Sequence, residues 1–226
     1  MIDRIAAALA RRNRFTTRRP RQAAILLPLL TSTPTPSLLL TRRAETLSSH
    51  KGQVAFPGGR TDDADNGPID TALREAHEEV GLNRADIKVL GMLDDLPSFN
   101  NDTAVTPVVG LVSPNIELQQ LIASKGEVAR IFAIPLDELI IGDRWDVQES
   151  EWRGAAIQQF YFKSQGETLW GLSAYATLMM LSLVEEGSTA PVPRWFDPQG
   201  KREGVAAEDD EESLLPAPRP GRPSAD

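Results

Sequence analysis

The stretch from Ile69 to Val80 has one economical way to fold. Ile69, Ala72, Leu73, Ala76 and Val80 recur at i, i+3, i+4, i+7 and i+11, which lines up one apolar face of an α-helix. Asp70 and Thr71 stand near its start, where capping groups belong, and Gly81 follows its end. The same helix carries Glu75, Glu78 and Glu79, side by side at i, i+3 and i+4. They are expected opposite the apolar stripe, facing away from the core. Three carboxylates on one patch repel each other and raise each other's pKa unless a cation sits among them. Their hard oxygen atoms suit Mg²⁺ or Mn²⁺ rather than zinc. Arg74 is placed to pair with one of the carboxylates and fix its rotamer.

Ahead of this helix, Gln53 to Phe56 reads as a short strand running into Pro57-Gly58-Gly59, a chain reversal. Glycine there lets the backbone approach a ligand closely. If the turn folds against the helix, a glycine carbonyl, Gly59 foremost, is expected to complete a metal shell. A cation so held can bridge two phosphoryl oxygens and activate a water, which is what hydrolysis of a pyrophosphate requires.

Around this segment the chain alternates strands with a few helices. Ala23 to Leu30 and Leu38 to Thr41 read as a hairpin across the turn segment 31–37. Ile87 to Leu93, Val105 to Val112, Ala129 to Ile134 and Ala155 to Phe162 read as further strands. Leu136 to Ile140 and Gly171 to Val184 read as helices. Such a mixture predicts an α+β, αβα-layered domain. Trp145, Trp152 and Trp170 are expected to be packing residues.

Both ends differ from the middle. Arg4, Arg11, Arg12, Arg14, Arg18, Arg19 and Arg21 stand against a lone Asp3, and Ile2, Ile5 and Leu9 fall at helical spacing. Residues 1–21 are therefore expected to form an Arg-rich extension, a short surface helix on the domain; a mitochondrial or other organellar presequence is the alternative to a cytoplasmic protein. From about Pro191 prolines recur and Glu208 to Glu212 is a run of acids, so residues 191–226 are expected to be a disordered tail. The 226 residues carry a formal net charge of −8. A surface of that sign repels polyphosphates unless a cation intervenes, and no nucleic-acid partner is expected. The absence of cysteine excludes disulfides, thiolate zinc sites and Cys nucleophiles. No apolar run approaches the ~20 residues of a membrane span.

The segment REAHEEVGL resembles the core of the Nudix box, G-x5-E-x7-R-E-U-x-E-E-x-G-U with U aliphatic. Arg74, Glu75, Glu78, Glu79, Gly81 and Leu82 match, and Ala76 is a small stand-in for the first aliphatic. The front half departs: Gly59 lies one residue further from Arg74 than the pattern allows, and Asp65 or Asn66 replaces the early glutamate. LLLTRRAETLSSHKGQVAFPGG (Leu38 to Gly59) is similar to the additional signature of the coenzyme A pyrophosphatase branch, through Leu39, Leu40, Thr41, Arg43, Ala44, Gly52, Phe56, Pro57, Gly58 and Gly59. VTPVVG (Val105 to Gly110), EVARIFAIPL (Glu127 to Leu136) and LWGLSA (Leu169 to Ala174) are also similar to that branch, so the resemblance spans about residues 20 to 185. Ser48 stands where the branch has an arginine.

The resemblance implies a Nudix αβα sandwich with a mixed sheet over residues 22–188, and a coenzyme-A-like nucleotide as substrate. Metal ligands are then Glu75, Glu78, Glu79 and Gly59, with Arg74 in support. Glu75, Glu79 and Glu127 share the catalytic role, Glu75 being the first choice of base and Glu127 the second. Arg42, Arg43, His50, Lys51 and Gly58 are the candidate substrate contacts. His77, about 100° round the helix from its neighbours, is expected to have no role. Asn100, Asn101 and Asp102 occupy a loop where the branch places substrate contacts, but they depart from its usual pattern. A homodimer is a further option. Ser48 favours a rival substrate, another nucleoside diphosphate conjugate such as NADH or a nucleotide sugar. A non-catalytic nucleotide-binding module is the more distant rival, and the retention of all three glutamates argues against it.

Overall fold

The computed structural model describes residues 1–98, 102–152, 155–184, 187–194, 196 and 198. Helix α1 (Ile2–Arg11) buries Ile5 and Leu9, as the spacing of its apolar residues predicts. Strand β1 (Arg21–Leu30) is buried almost throughout from Ala24 onward. It returns as β2 (Ser37–Arg43), but the two pair only at Leu29↔Leu38 and Leu30↔Ser37 and then splay apart. The gap is filled by two short strands. β3 (Val54–Ala55) bonds to β2, and β4 (Gly58–Arg60) bonds to β1.

Here the structure corrects the expected reversal at Pro57-Gly58-Gly59. The bend falls at Pro57, whose carbonyl accepts the Leu26 amide at 2.8 Å, and both glycines lie in β4. The reason is steric. A Cβ on Gly58 would lie 2.7 Å from the Cα of Ile25, so only glycine lets this backbone seat itself on β1.

Helix α2 (Pro68–Val80) follows, ended by Gly81 in the left-handed region at φ 75°. Its start differs from expectation. Gly67 is the cap residue, while the Asp70 carboxylate reaches back to the Asn66 amide at 3.1 Å. β5 (Ile87–Met92), β6 (Leu96–Pro97) and β7 (Thr103–Val112) come next, and β7 runs parallel to β1 over nine residue pairs. β8 (Val128–Pro135) pairs with the far side of β2 and leads into the short α3 (Leu136–Leu139). A separate antiparallel sheet is made by β9 (Trp145–Trp152), β10 (Ala155–Ser164) and β11 (Glu167–Trp170) before α4 (Gly171–Leu181).

The main sheet is mixed and buried on both faces. On one, Ala24, Leu26, Leu30 and Leu39 meet Ala72, Leu73, Ala76 and Val80 of α2. On the other, Leu27, Leu29, Leu38 and Leu40 meet α1, α4 and the small sheet. Alternate residues of β1 and β2 thus serve opposite cores, as the two-residue period of a strand requires. This is the αβα layering with a mixed sheet that the sequence predicts.

The Arg-rich start is a packed surface helix. Beyond α1, Arg12 donates two hydrogen bonds to Asp94, at 2.8 and 3.0 Å. Arg14 pairs with Asp95 and donates to Thr106 Oγ1. The Phe15 and Thr17 amides donate to the same two aspartates, both of which are buried. At the other end, the chain stays packed past 191: Phe196 is buried in the core with Arg12 over its ring. The remainder of the expected tail lies outside the described residues, as do Asn100 and Asn101. Asp102 is engaged locally, accepting from Arg21 at 2.9 Å and from Thr103. Trp145 is buried against Phe162 and donates to the Leu139 carbonyl, and Trp170 stacks on Tyr161, so both are packing residues. The side chain of Trp152 is outside the description.

Candidate active site

The three glutamates of α2 occupy three different environments. Glu78 is exposed, Glu75 is half-buried and Glu79 is only 6% exposed. The expectation that all three face away from the core is therefore corrected for Glu79. Seven residues on from Ala72, at 3.6 residues per turn, Glu79 lies only about 20° from it around the helix, on the flank of the apolar stripe. That flank faces the splay between β1 and β2, where β4 sits.

Glu79 is poorly compensated there. One oxygen accepts the Gly58 amide at 3.3 Å, and the other lies 3.6 Å from an Arg43 nitrogen. Burial pushes its carboxyl up to about 7; Arg43 and the Gly58 amide oppose the rise, and the charges of Glu75 and Glu127 add to it. Glu75 is also raised, chiefly by burial, against the pull of Arg74. Its carboxylate lies against Gly59 so closely that a Cβ there would be 2.5 Å from Glu75 Cδ. Gly58 and Gly59 thus serve different purposes, the first seating β4 on β1 and the second making room for the Glu75 carboxylate.

Arg74 does more than hold one carboxylate. Its Nη1 donates to both Glu75 and Glu78 at 3.0 Å, its Nε and Nη2 grip Asp65, and Nη2 also reaches the Arg60 carbonyl at 2.9 Å. Asp65, not Asn66, therefore takes the place of the early glutamate of the box. Hydrogen bonding from Arg74 holds its carboxyl well below the usual range. Thr71 Oγ1 donates to Asp65 as well, so this threonine faces inward. The extra residue before Arg74 is absorbed in the loop 61–67, and Asp65 still meets the arginine.

The remaining expected residues divide. Arg43 reaches the site through Glu79. Gly58 touches Glu79 through its amide. Glu127 precedes β8 and accepts from Ser124 Oγ at 3.0 Å, near enough for its charge to act on Glu79. Arg42, by contrast, pairs with Glu45 and Glu167, sharing the buried Glu167 with Arg130. His50 bonds to Gln53, and Lys51 is exposed in the same loop. His77 is exposed. The pairing of Arg43 with Glu79 and the hydrogen bond from Ser124 to Glu127 were not legible in the sequence. Neither leaves a pattern, since both depend on loops meeting a helix.

The donor set fits a hard divalent cation. A half-buried and a buried carboxylate share one small region, and the buried one meets Arg43 only at 3.6 Å, a loose pairing that leaves room for a cation's charge. Among the described residues, however, no three acidic or imidazole side chains are already drawn together around a common point. Arg74 engages Glu75 and Glu78, the residues that would hold the ion together with Glu79.

A buried glutamate with one neighbour beside it and another a turn back, and a glycine strand pressed against them, fit a class: hydrolases that act on a phosphoanhydride with a carboxylate-held cation. The chain belongs to the NUDIX domain family, whose model matches residues 19–155. It is 44% identical over 154 residues to a protein of Photorhabdus laumondii named uncharacterized Nudix hydrolase NudL, covering 68% of this chain and 80% of that one. The protein of the same name from Pectobacterium atrosepticum is 43% identical over 157 residues, covering 68% and 78%. A solved Nudix hydrolase from M. smegmatis, RenU, aligns at 22% identity and a TM-score of 0.43 over 53% of this chain and 73% of its own. The chain is accordingly a Nudix hydrolase, of a family that generally uses divalent cations and acts on nucleotide derivatives. No described helix is long and apolar enough to cross a membrane.

Proposed function

We propose that this Nudix hydrolase cleaves the diphosphate of coenzyme A or an acyl-coenzyme A to 3',5'-ADP and (acyl-)4'-phosphopantetheine. The observation that carries the reading is the placement of the segment Leu38 to Gly59, which resembles the coenzyme A pyrophosphatase signature. It runs from β2 to β4 and brings Arg43, Gly58 and Gly59 against Glu79 and Glu75. A segment that both resembles a substrate signature and abuts the carboxylates is well placed to set the substrate's diphosphate over them.

In this reading Glu75, Glu78 and Glu79 would hold Mg²⁺ or Mn²⁺, with the Gly59 carbonyl as a further oxygen donor. The ion supplies charge neutralisation for the diphosphate and a more acidic water. Arg43 offers its guanidinium to a phosphoryl oxygen once Glu79 turns to the ion. Glu75 or Glu127 accepts the proton of the attacking water; in a shared carboxylate cluster the proton belongs to the group as a whole. Arg74, fixed by Asp65, keeps Glu75 and Glu78 from spreading into solvent. A cytoplasmic location is part of the reading, supported by bacterial relatives.

A second reading is favoured by one observation. Ser48 stands where the branch has an arginine, and two candidate substitutes are already engaged, Arg42 with Glu45 and Glu167 and Arg43 with Glu79. This points to another nucleoside diphosphate conjugate. Product analysis with coenzyme A, acetyl-coenzyme A, NADH and ADP-ribose, beside a Glu79→Gln control, separates the two. Release of 3',5'-ADP from the coenzyme A compounds supports the first; turnover of only NADH or ADP-ribose replaces it with the second.

A further inference from the structure

We propose that Ser124 is a positioning residue that ties the outlying carboxylate Glu127 to the backbone of the glutamate helix. The inference rests on the reading above, in which Glu127 is a candidate proton acceptor beside a cation held by Glu75, Glu78 and Glu79. Residues 121–127 form a strap across the C-terminal end of α2. The Ile122 amide donates to the Val80 carbonyl at 3.1 Å, and the Ser124 amide donates to the Glu79 carbonyl at 2.9 Å. These are helix-end carbonyls that α2 cannot satisfy internally. The strap therefore takes its position from the residue whose side chain is at the centre of the site.

From that anchor the Ser124 hydroxyl donates to Glu127 Oε2 at 3.0 Å. The Glu127 and Val128 amides return to the Ser124 carbonyl at 3.2 and 3.1 Å, closing a turn around Gly126, whose φ of 93° suits glycine. The Ala44 amide fixes the other side by donating to the Glu127 carbonyl at 2.8 Å. Glu127 is otherwise an exposed, rotamer-rich side chain, and an unrestrained glutamate loses entropy each time it is recruited. One hydroxyl, carried on a backbone already hydrogen-bonded to Glu79, removes most of that freedom. Ser124 touches neither substrate nor ion; it acts through Glu127.

The test compares wild type with Ser124→Ala, Ser124→Thr, Glu127→Ala and the Ser124→Ala/Glu127→Ala double variant. Bound Mn²⁺ is counted by electron paramagnetic resonance, and kcat and KM are measured on the best substrate of the panel. Ser124→Ala is expected to lower kcat about 10-fold, the lower end of the scale for a partner that orients a site residue, while Mn²⁺ binding stays near wild type. KM should change little, and Ser124→Thr should restore most of the loss. In the Glu127→Ala background, removing the hydroxyl should have no further effect. Equal losses from Ser124→Ala with and without Glu127 would overturn the inference, because the hydroxyl would then act elsewhere. Wild-type behaviour of Ser124→Ala would overturn it too. Failure of the wild type itself to bind Mn²⁺ overturns the functional reading and this inference together, and is distinguishable because it needs no variant.

Discussion

Two neighbouring glycines should fail in different ways when each is given a methyl group. At Gly59 the new Cβ would lie 2.5 Å from Glu75 Cδ. Ordinary carbon contacts begin near 3.5 Å, so the carboxylate must retreat by roughly 1 Å. Glu75 is half-buried at the far end of a flexible side chain, and Arg74 can follow it, so the fold should tolerate the move. A misplacement of that size at a reacting centre costs on the order of 100-fold in rate. At Gly58 the Cβ would instead lie 2.7 Å from Ile25 Cα, which cannot move without dragging β1. Overpacking of this kind costs roughly 1–3 kcal/mol or more. Gly59→Ala should therefore keep a near-native urea midpoint while losing Mn²⁺ affinity and turnover, and Gly58→Ala should lose stability first. The measurements are urea unfolding followed by tryptophan fluorescence, Mn²⁺ binding, and the coenzyme A assay. A Gly59→Ala protein that binds Mn²⁺ and turns over like wild type would refute the claim that this glycine makes room for a metal-holding carboxylate.

Removing the cation should make the fold pH-sensitive through Glu79. The unfolded chain gives up this proton near 4.5 and the folded chain near about 7, so the folded state holds more protons between them. Stability in EDTA should then fall as pH rises through that interval, by a few kcal/mol, and level off above it. Added Mn²⁺ at pH 8 should restore the loss, and Glu79→Gln should flatten the profile. Arg74→Lys keeps the charge but not the fork that serves Asp65, Glu75, Glu78 and the Arg60 carbonyl at once, so turnover should drop about 10- to 100-fold. An unchanged kcat/KM would remove Arg74 from the support of the site. Asp94→Ala removes the hydrogen bonds that the carboxylate accepts from the buried Arg12 guanidinium and the Phe15 amide, and should cost roughly 1.5–3 kcal/mol in urea unfolding. A loss under about 1 kcal/mol would mean the N-terminal segment is not integral to the fold.

The layered fold was legible because its core strands and α2 carry strong periodicities. β1 and β2 alternate between two cores, and α2 repeats its apolar face over three turns. β9 escaped for the opposite reason. Apart from the buried Trp145, its described side chains are exposed or half-buried, and its place is set by backbone pairing with β10 rather than by burial. The glycine pair was recognised as close-approach backbone but misread as a turn, because sequence does not reveal that β1 and β2 splay and leave a slot to be filled. The three glutamates of α2 stood out by residue type and spacing. Their unequal burial was missed because the flank of an apolar stripe is buried or exposed according to what packs beside it. Asp65 and Ser124 join the site through loop geometry, which has no period to read.

The two short strands in the slot give the loop 44–52 an unusual independence. Its entrance is pinned where the Ala44 amide meets the Glu127 carbonyl, and its exit where the Arg43 amide meets the Gln53 carbonyl. Arg43, Gly58, Arg74 and Ser124, which grip the candidate carboxylates, all lie outside those two pins. Ser48, His50 and Lys51 lie between them. Evolution can therefore lengthen, shorten or recharge that loop, trying one nucleotide after another, while the hydrolytic machinery stays where it is. Ser48 would be one such trial, made at little risk to the chemistry.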